Sequence, residues 1–154
     1  MAVSSIDTYL KAGNPETPQE QLAVLANSED RKVRLRVAEN PSTPPEVLAR
    51  LAGDGDAEIR QAVATNQSSP LWVVFRLAQD NDPTVRHGLA EDLNAPLPVL
   101  KLLATDENPY VSCRARRTIE ALGLAKTERP DLHQLLAWPV FRLEGGVQPL
   151  QSTA

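Results

Sequence analysis

Apolar residues recur along this chain at i, i+3 and i+4, and the pattern restarts at a constant interval. From Asn14 the chain divides without a gap into four units of 26 residues: Asn14–Glu39, Asn40–Thr65, Asn66–Glu91 and Asp92–Arg117. The second reads NPSTPPEVLARLAGDGDAEIRQAVAT. In each unit a first helix is predicted from Leu22, Leu25 and Ala26 and their counterparts Leu48, Leu51 and Ala52; Val74, Leu77 and Ala78; and Leu100, Leu103 and Ala104. A second helix follows from Val33, Val37 and Ala38, matched by Ile59, Val63 and Ala64 and by Val85, Leu89 and Ala90. The fourth unit keeps Val111 and Ala115 but has Arg116 at the next position.

The polar residues punctuate this pattern. Thr17, Thr43 and Ser69 stand where a helix-capping hydroxyl is expected, each followed by proline, and Glu20 and Glu46 lie three residues on, as in a capping box. Ala95 at the fourth position predicts a weaker helix start there. Asp30, Asp56, Asp82 and Asn108 are read as caps of the second helices.

Helices this short are not stable alone, and each has one apolar face that only a neighbouring pair covers. The expected fold is therefore all-α: a right-handed α-solenoid of four helical hairpins with capping helices. Residues 1–13 are expected to be a capping half-repeat that covers the first unit with Ile6 and Leu10, and residues 14–123 the solenoid. The last repeat helix is expected to run through Ile119 and Leu122 to a C-cap at Gly123. Residues 124–154 are expected to be a short helix over Pro130–Ala137 and an irregular tail.

The motif Asp-x-x-Val/Ile-Arg (Asp30–Arg34, Asp56–Arg60, Asp82–Arg86) resembles the second-helix signature of HEAT-type repeats. The longer pattern Asn-Pro-x-Thr-Pro-x-x-x-Leu-x-x-Leu-Ala resembles the bacterial variant leucine-rich repeats over roughly residues 14–122. That resemblance implies the fold and leaves the role open, because such solenoids host many functions. Some members carry an N-terminal cysteine cluster for an iron–sulfur centre; the single cysteine here, Cys113, does not supply one.

Composition narrows the function classes. A net charge of −4 gives no global electrostatic footprint for nucleic acid. A single cysteine rules out an internal disulfide, no basic region followed by an apolar run opens the chain, and no apolar stretch reaches membrane-spanning length. A cytoplasmic location is expected. No zinc-ligand spacing, phosphate-binding glycine loop or nucleophile elbow is present, so neither a metal nor a cofactor is expected.

Three sets of residues are candidates for function. Arg34, Arg60 and Arg86 form a ladder, interrupted by Ser112, that either binds anionic groups or bridges to aspartates of its own or the next turn, such as Asp54, Asp56, Asp80 and Asp82. The outward positions of the second helices are expected to line the concave surface, and Arg36, Gln61, Thr65, His87, Glu91, Tyr110, Cys113, Arg114 and Arg117 are the candidate partner-binding residues. Trp72 and Phe75 make the first helix of unit three apolar nearly all round, to be covered by the tail through Trp138 and Phe141 or by another subunit. His87 and Cys113 occupy matching positions in adjacent units, too far apart for a nucleophile–base pair at helix-packing distances of ~8–10 Å.

The expected function is a non-catalytic protein-interaction scaffold that uses the concave face. A nucleic-acid-binding solenoid using the arginine stripe and a small enzyme on this fold are the alternatives.

Overall fold

The computed structural model describes residues 5–123. Among these residues there are nine helices and no strand: α1 (Ser5–Gly13), α2 (Gln19–Leu25), α3 (Arg31–Glu39), α4 (Pro45–Leu51), α5 (Ala57–Thr65), α6 (Leu71–Leu77), α7 (Pro83–Glu91), α8 (Leu97–Leu103) and α9 (Pro109–Ala121). The helices form two layers. The odd-numbered helices pack directly on one another from α1 to α9; α2, α4 and α8 pack chiefly on the odd helix that follows, and α6 on α5, the one before it. The odd layer is therefore the closely stacked inner face, and the seven-residue even helices fan out over it as the outer face. This is an α-solenoid of helical repeats.

One core runs through the stack. Leu22, Leu48, Ile59, Leu77 and Leu89 are fully buried in it, together with valines of both layers such as Val33, Val63, Val73 and Val99. The small residues Ala38, Ala64 and Ala90 are buried at the repeat position that brings neighbouring odd helices together. In the fourth unit Arg116 replaces this alanine; it is exposed, and its Nε donates to the carbonyl of Ala104 at 3.1 Å. No odd helix lies beyond it among the described residues to require a small side chain.

The second-helix caps are as the sequence predicts. Asp30, Asp56, Asp82 and Asn108 each accept the amide proton of the residue two positions on. The helix α9 runs to Ala121, and Gly123 supplies the positive φ of 68° that follows its end.

The first-helix hydroxyls differ from expectation. Pro18, Pro44, Pro70 and Pro96 occupy the cap positions, and no side chain caps these helices. The hydroxyls of Thr17, Thr43 and Ser69 point backwards instead. Each donates at 2.6 Å to a carbonyl six residues earlier, those of Lys11, Val37 and Val63. Each of these carbonyls, at the end of the preceding odd helix, also accepts the backbone amide of Asn14, Asn40 or Asn66 at 3.2 Å, and the hydroxyl serves as its second donor. Glu20 and Glu46 complete no capping box, and α8 is as long as its siblings despite Ala95. What Ala95 lacks is the tie to the helix before it.

The N-terminal cap also differs. Ile6 and Leu10 are 70% and 63% exposed, and the buried residue of α1 is Ala12. Helix α1 sits in unbroken 26-residue register, so Ala12 takes the place of Ala38, while Ile6 and Leu10 take the solvent-facing places of Lys32 and Arg36. The expected helix at Pro130–Ala137, the docking of Trp138 and Phe141, and His133 lie outside the described residues.

Candidate functional site: the inner face and its stitched margin

Side chains join each repeat to the next at three recurring positions. The side-chain amide of Asn40 donates to the carbonyls of Ala12 and Asn14, both at 2.9 Å. Asn66 repeats this one unit later, with Ala38 at 2.7 Å and Asn40 at 3.0 Å. Thr118 stands at the same repeat position, and its hydroxyl donates to Ala90 at 2.6 Å. Asp92 falls in this series too; its carboxylate accepts the amide of Asn94 but carries no amide to offer the carbonyl of Ala64. Ser42 and Ser68 add hydroxyl bonds of 2.7 Å to the carbonyls of Pro15 and Pro41.

The third stitch is the arginine ladder. Arg34, Arg60 and Arg86 each place Nε 2.8 Å from the aspartate twenty residues on, namely Asp54, Asp80 and Asp106. Nη2 makes the second arm of the fork, at 3.4, 2.9 and 3.1 Å respectively. Nη1 turns to backbone carbonyls of the arginine's own turn, those of Ser28, Asp54 and Asp80. Of the two partners considered from sequence, each arginine thus takes the aspartate of the next turn. The pairs become more enclosed along the stack, and the arginine side chains are 22%, 16% and 10% exposed in order.

The electrostatics follow from this geometry. Hydrogen bonding to the paired aspartate, against an opposing cost of burial, raises the pKa of all three arginines. Burial pushes the carboxyls of Asp54, Asp80 and Asp106 upward, but the guanidinium and a backbone amide outweigh it and hold them below the ordinary range. Ser112 ends the ladder by bonding within its own helix, to the carbonyls of Asn108 and Pro109.

The predicted concave residues lie on the exposed side of the odd helices. A shallow open trough of about 700 Å³ crosses α3, α5 and α7, and its lining includes Leu35, Glu39, Gln61, Ala62, Thr65 and Thr84. Its floor is low for a definable reason. The side chain of Gln61 lies across Gly88, where an added Cβ would come within 2.6 Å of it. At the N-terminal end Arg36 lies across Gly13 in the same manner, 5.2 Å over the ring of Tyr9.

Charges sit at the two ends of this face. Near α3, Arg36 pairs with Glu39 at 2.9 Å, Arg31 binds both Asp56 and Glu58, and Lys32 is exposed. Near α9, Arg114 meets Glu91 at 3.3 Å across the α7–α9 step, and Arg117 is exposed. His87 turns towards Glu91 on its own helix, at 3.9 Å, and Cys113 is an exposed free thiol. Tyr110 is 78% exposed at the far end.

The apolar pair of unit three is divided. Phe75 is partly buried against the core, while Trp72 remains 47% exposed on the outer face. The sequence reading missed the asparagine stitches; an asparagine recurring at the first position of successive units was their signal.

Comparison with known families now adds one finding. Residues 6–67 match the Leucine Rich Repeat Variant domain family. The match begins within α1, in keeping with the register that makes this helix part of the repeat array. Neither a curated protein nor a solved structure matches the chain. Among the described residues no helix is long and apolar enough to cross a membrane, and no group of three or more His, Cys, Asp or Glu is placed to hold a metal ion.

Proposed function

We propose that this variant leucine-rich repeat chain is a non-catalytic scaffold of the cytoplasm that holds a protein partner along the inner trough. The observation that carries the reading is the trough itself: an open surface over α3, α5 and the start of α7, floored by Gln61 and Ala62. Extended concave surfaces of this kind are what helical solenoids use for recognition. The nucleic-acid alternative draws no support from the arginine ladder, because its guanidiniums are already held by aspartates.

Selection of a random peptide library on the immobilised chain tests the proposal. Enriched peptides are expected to lose binding to Ala62→Trp, which fills the trough, and to keep it with Trp72→Ala on the outer face. Failure to enrich any peptide, or binding indifferent to Ala62→Trp, would refute it.

A further inference from the structure

The trough has a charge pattern that selects among protein segments. The carboxylates along it are already claimed: Glu39 by Arg36, Glu58 by Arg31, and Glu91 by Arg114. Lys32 and Arg117, by contrast, are exposed, with no carboxylate within ion-pair distance among the described residues. These two lie on α3 and α9, at opposite ends of the face. The surface between them mixes Leu35, Gln61, Ala62 and Thr65 with the carboxylates of Glu39 and Glu58, which are held by Arg36 and Arg31. Among the described residues, and in a chain of net charge −4, the Lys32 and Arg117 side chains of this face are left without a carboxylate partner.

We infer that the trough takes an extended protein segment carrying acidic side chains at both ends and small uncharged residues between them. The inference rests on the binding role proposed above and specifies its ligand. Three helix-to-helix steps separate α3 from α9, and at ~8–10 Å each they span about 24–30 Å. An extended chain rising about 3.3 Å per residue covers that span in roughly seven to nine residues. The acidic ends then meet Lys32 at one side and Arg117 at the other. The centre lies over Gln61, which rests on Gly88, and Ala62.

Gly88 supports the same reading. A glycine inside a helix is unfavourable relative to alanine. Here its missing Cβ keeps Gln61 flat against α7 and the trough open.

The test uses three phage-displayed libraries of nine-residue peptides with randomised centres, whose paired end residues are fixed as glutamate, lysine or serine. The chain spanning residues 1–154 is the bait. The glutamate-ended library is expected to enrich at least about ten-fold over the other two, with Kd values for its leading clones below about 1 mM. Those clones are expected to weaken about ten-fold or more with Lys32→Glu combined with Arg117→Glu, and to weaken less as salt rises in that variant than in the wild type. Gly88→Ala is expected to hold or raise the melting temperature while weakening the same clones. Equal enrichment from all libraries, preference for lysine ends, or clones indifferent to these variants would overturn the charge pattern and leave the binding role standing. No enrichment from any library would overturn both.

Discussion

The pair Arg60–Asp80 is the ladder rung with the best fork geometry, and its removal has a calculable cost. Arg60 and Asp80 are 16% and 10% exposed, joined by bonds of 2.8 and 2.9 Å. Exposed ion pairs contribute about 0.2–1 kcal/mol, and breaking a fully buried pair costs about 3–5 kcal/mol. This rung lies between those limits, with two charge-assisted bonds in a largely enclosed setting. Arg60→Met keeps the aliphatic stem but strands the Asp80 carboxylate, at an expected cost of about 2–3 kcal/mol. Asp80→Asn keeps an acceptor for the amide of Asp82 and is expected to cost about 1–2 kcal/mol. Urea denaturation of wild type, both single variants and the double variant gives the coupling energy directly. It should be about 1.5–2 kcal/mol, and smaller for Arg34–Asp54, where the arginine is more exposed and the second arm is 3.4 Å long. A coupling below about 0.3 kcal/mol would show that the rung is an ordinary surface contact and refute its role as a stitch.

Three further outcomes follow from the same stitches. Asp92→Asn supplies the missing donor to Ala64, as Asn66 does to Ala38, and should raise stability by about 1 kcal/mol in urea melts; no gain would mean the site is satisfied otherwise. Thr43→Val leaves the Val37 carbonyl without its hydroxyl and should cost about 1–2 kcal/mol, whereas Ala95→Thr should stabilise; loss of stability in both would contradict the backward tie. The ladder aspartates have folded pKa values below the ordinary one, so their contribution is complete above the unfolded value of about 3.9 and disappears as pH falls through the folded values. The Arg60–Asp80 coupling should accordingly be constant from neutral to mildly alkaline pH and shrink below about pH 4, as denaturation at a series of pH values would reveal.

Much of this architecture is legible in the sequence because the same local physics repeats. Leu48, Ile59 and Val63 disclose their faces through helical spacing, and Asp56 or Asp82 discloses a helix start through its short acceptor side chain. The direction of the Thr43 hydroxyl is not legible, since a cap and a tie to the previous helix call for the same residue in the same turn. Only the position of the Val37 carbonyl decides between them. The partner of Arg60 is hidden for a similar reason: Asp54, Asp56, Asp80 and Asp82 are all plausible until the stacking distance is known. Ile6 and Leu10 mislead because apolar character suggests burial, while their register with Lys32 and Arg36 places them at the solvent-facing side. The likeness of Ala12-Gly13-Asn14-Pro15 to Ala38-Glu39-Asn40-Pro41 carried the correct answer. The trough was foreseen as a face but not as a shape, because the way Gln61 lies over Gly88 depends on two helices at once.

Nuclear magnetic resonance titration of the labelled chain with the strongest-selected glutamate-ended peptide tests most directly whether the arginine ladder binds the repeats together while the inner trough does the recognising. Shifts should concentrate at Lys32, Leu35, Gln61, Gly88 and Arg117, with the Nε resonances of Arg60 and Arg86 unmoved. Shifts centred on those two guanidiniums, or on Trp72 and Arg76 of the outer face, would contradict the account.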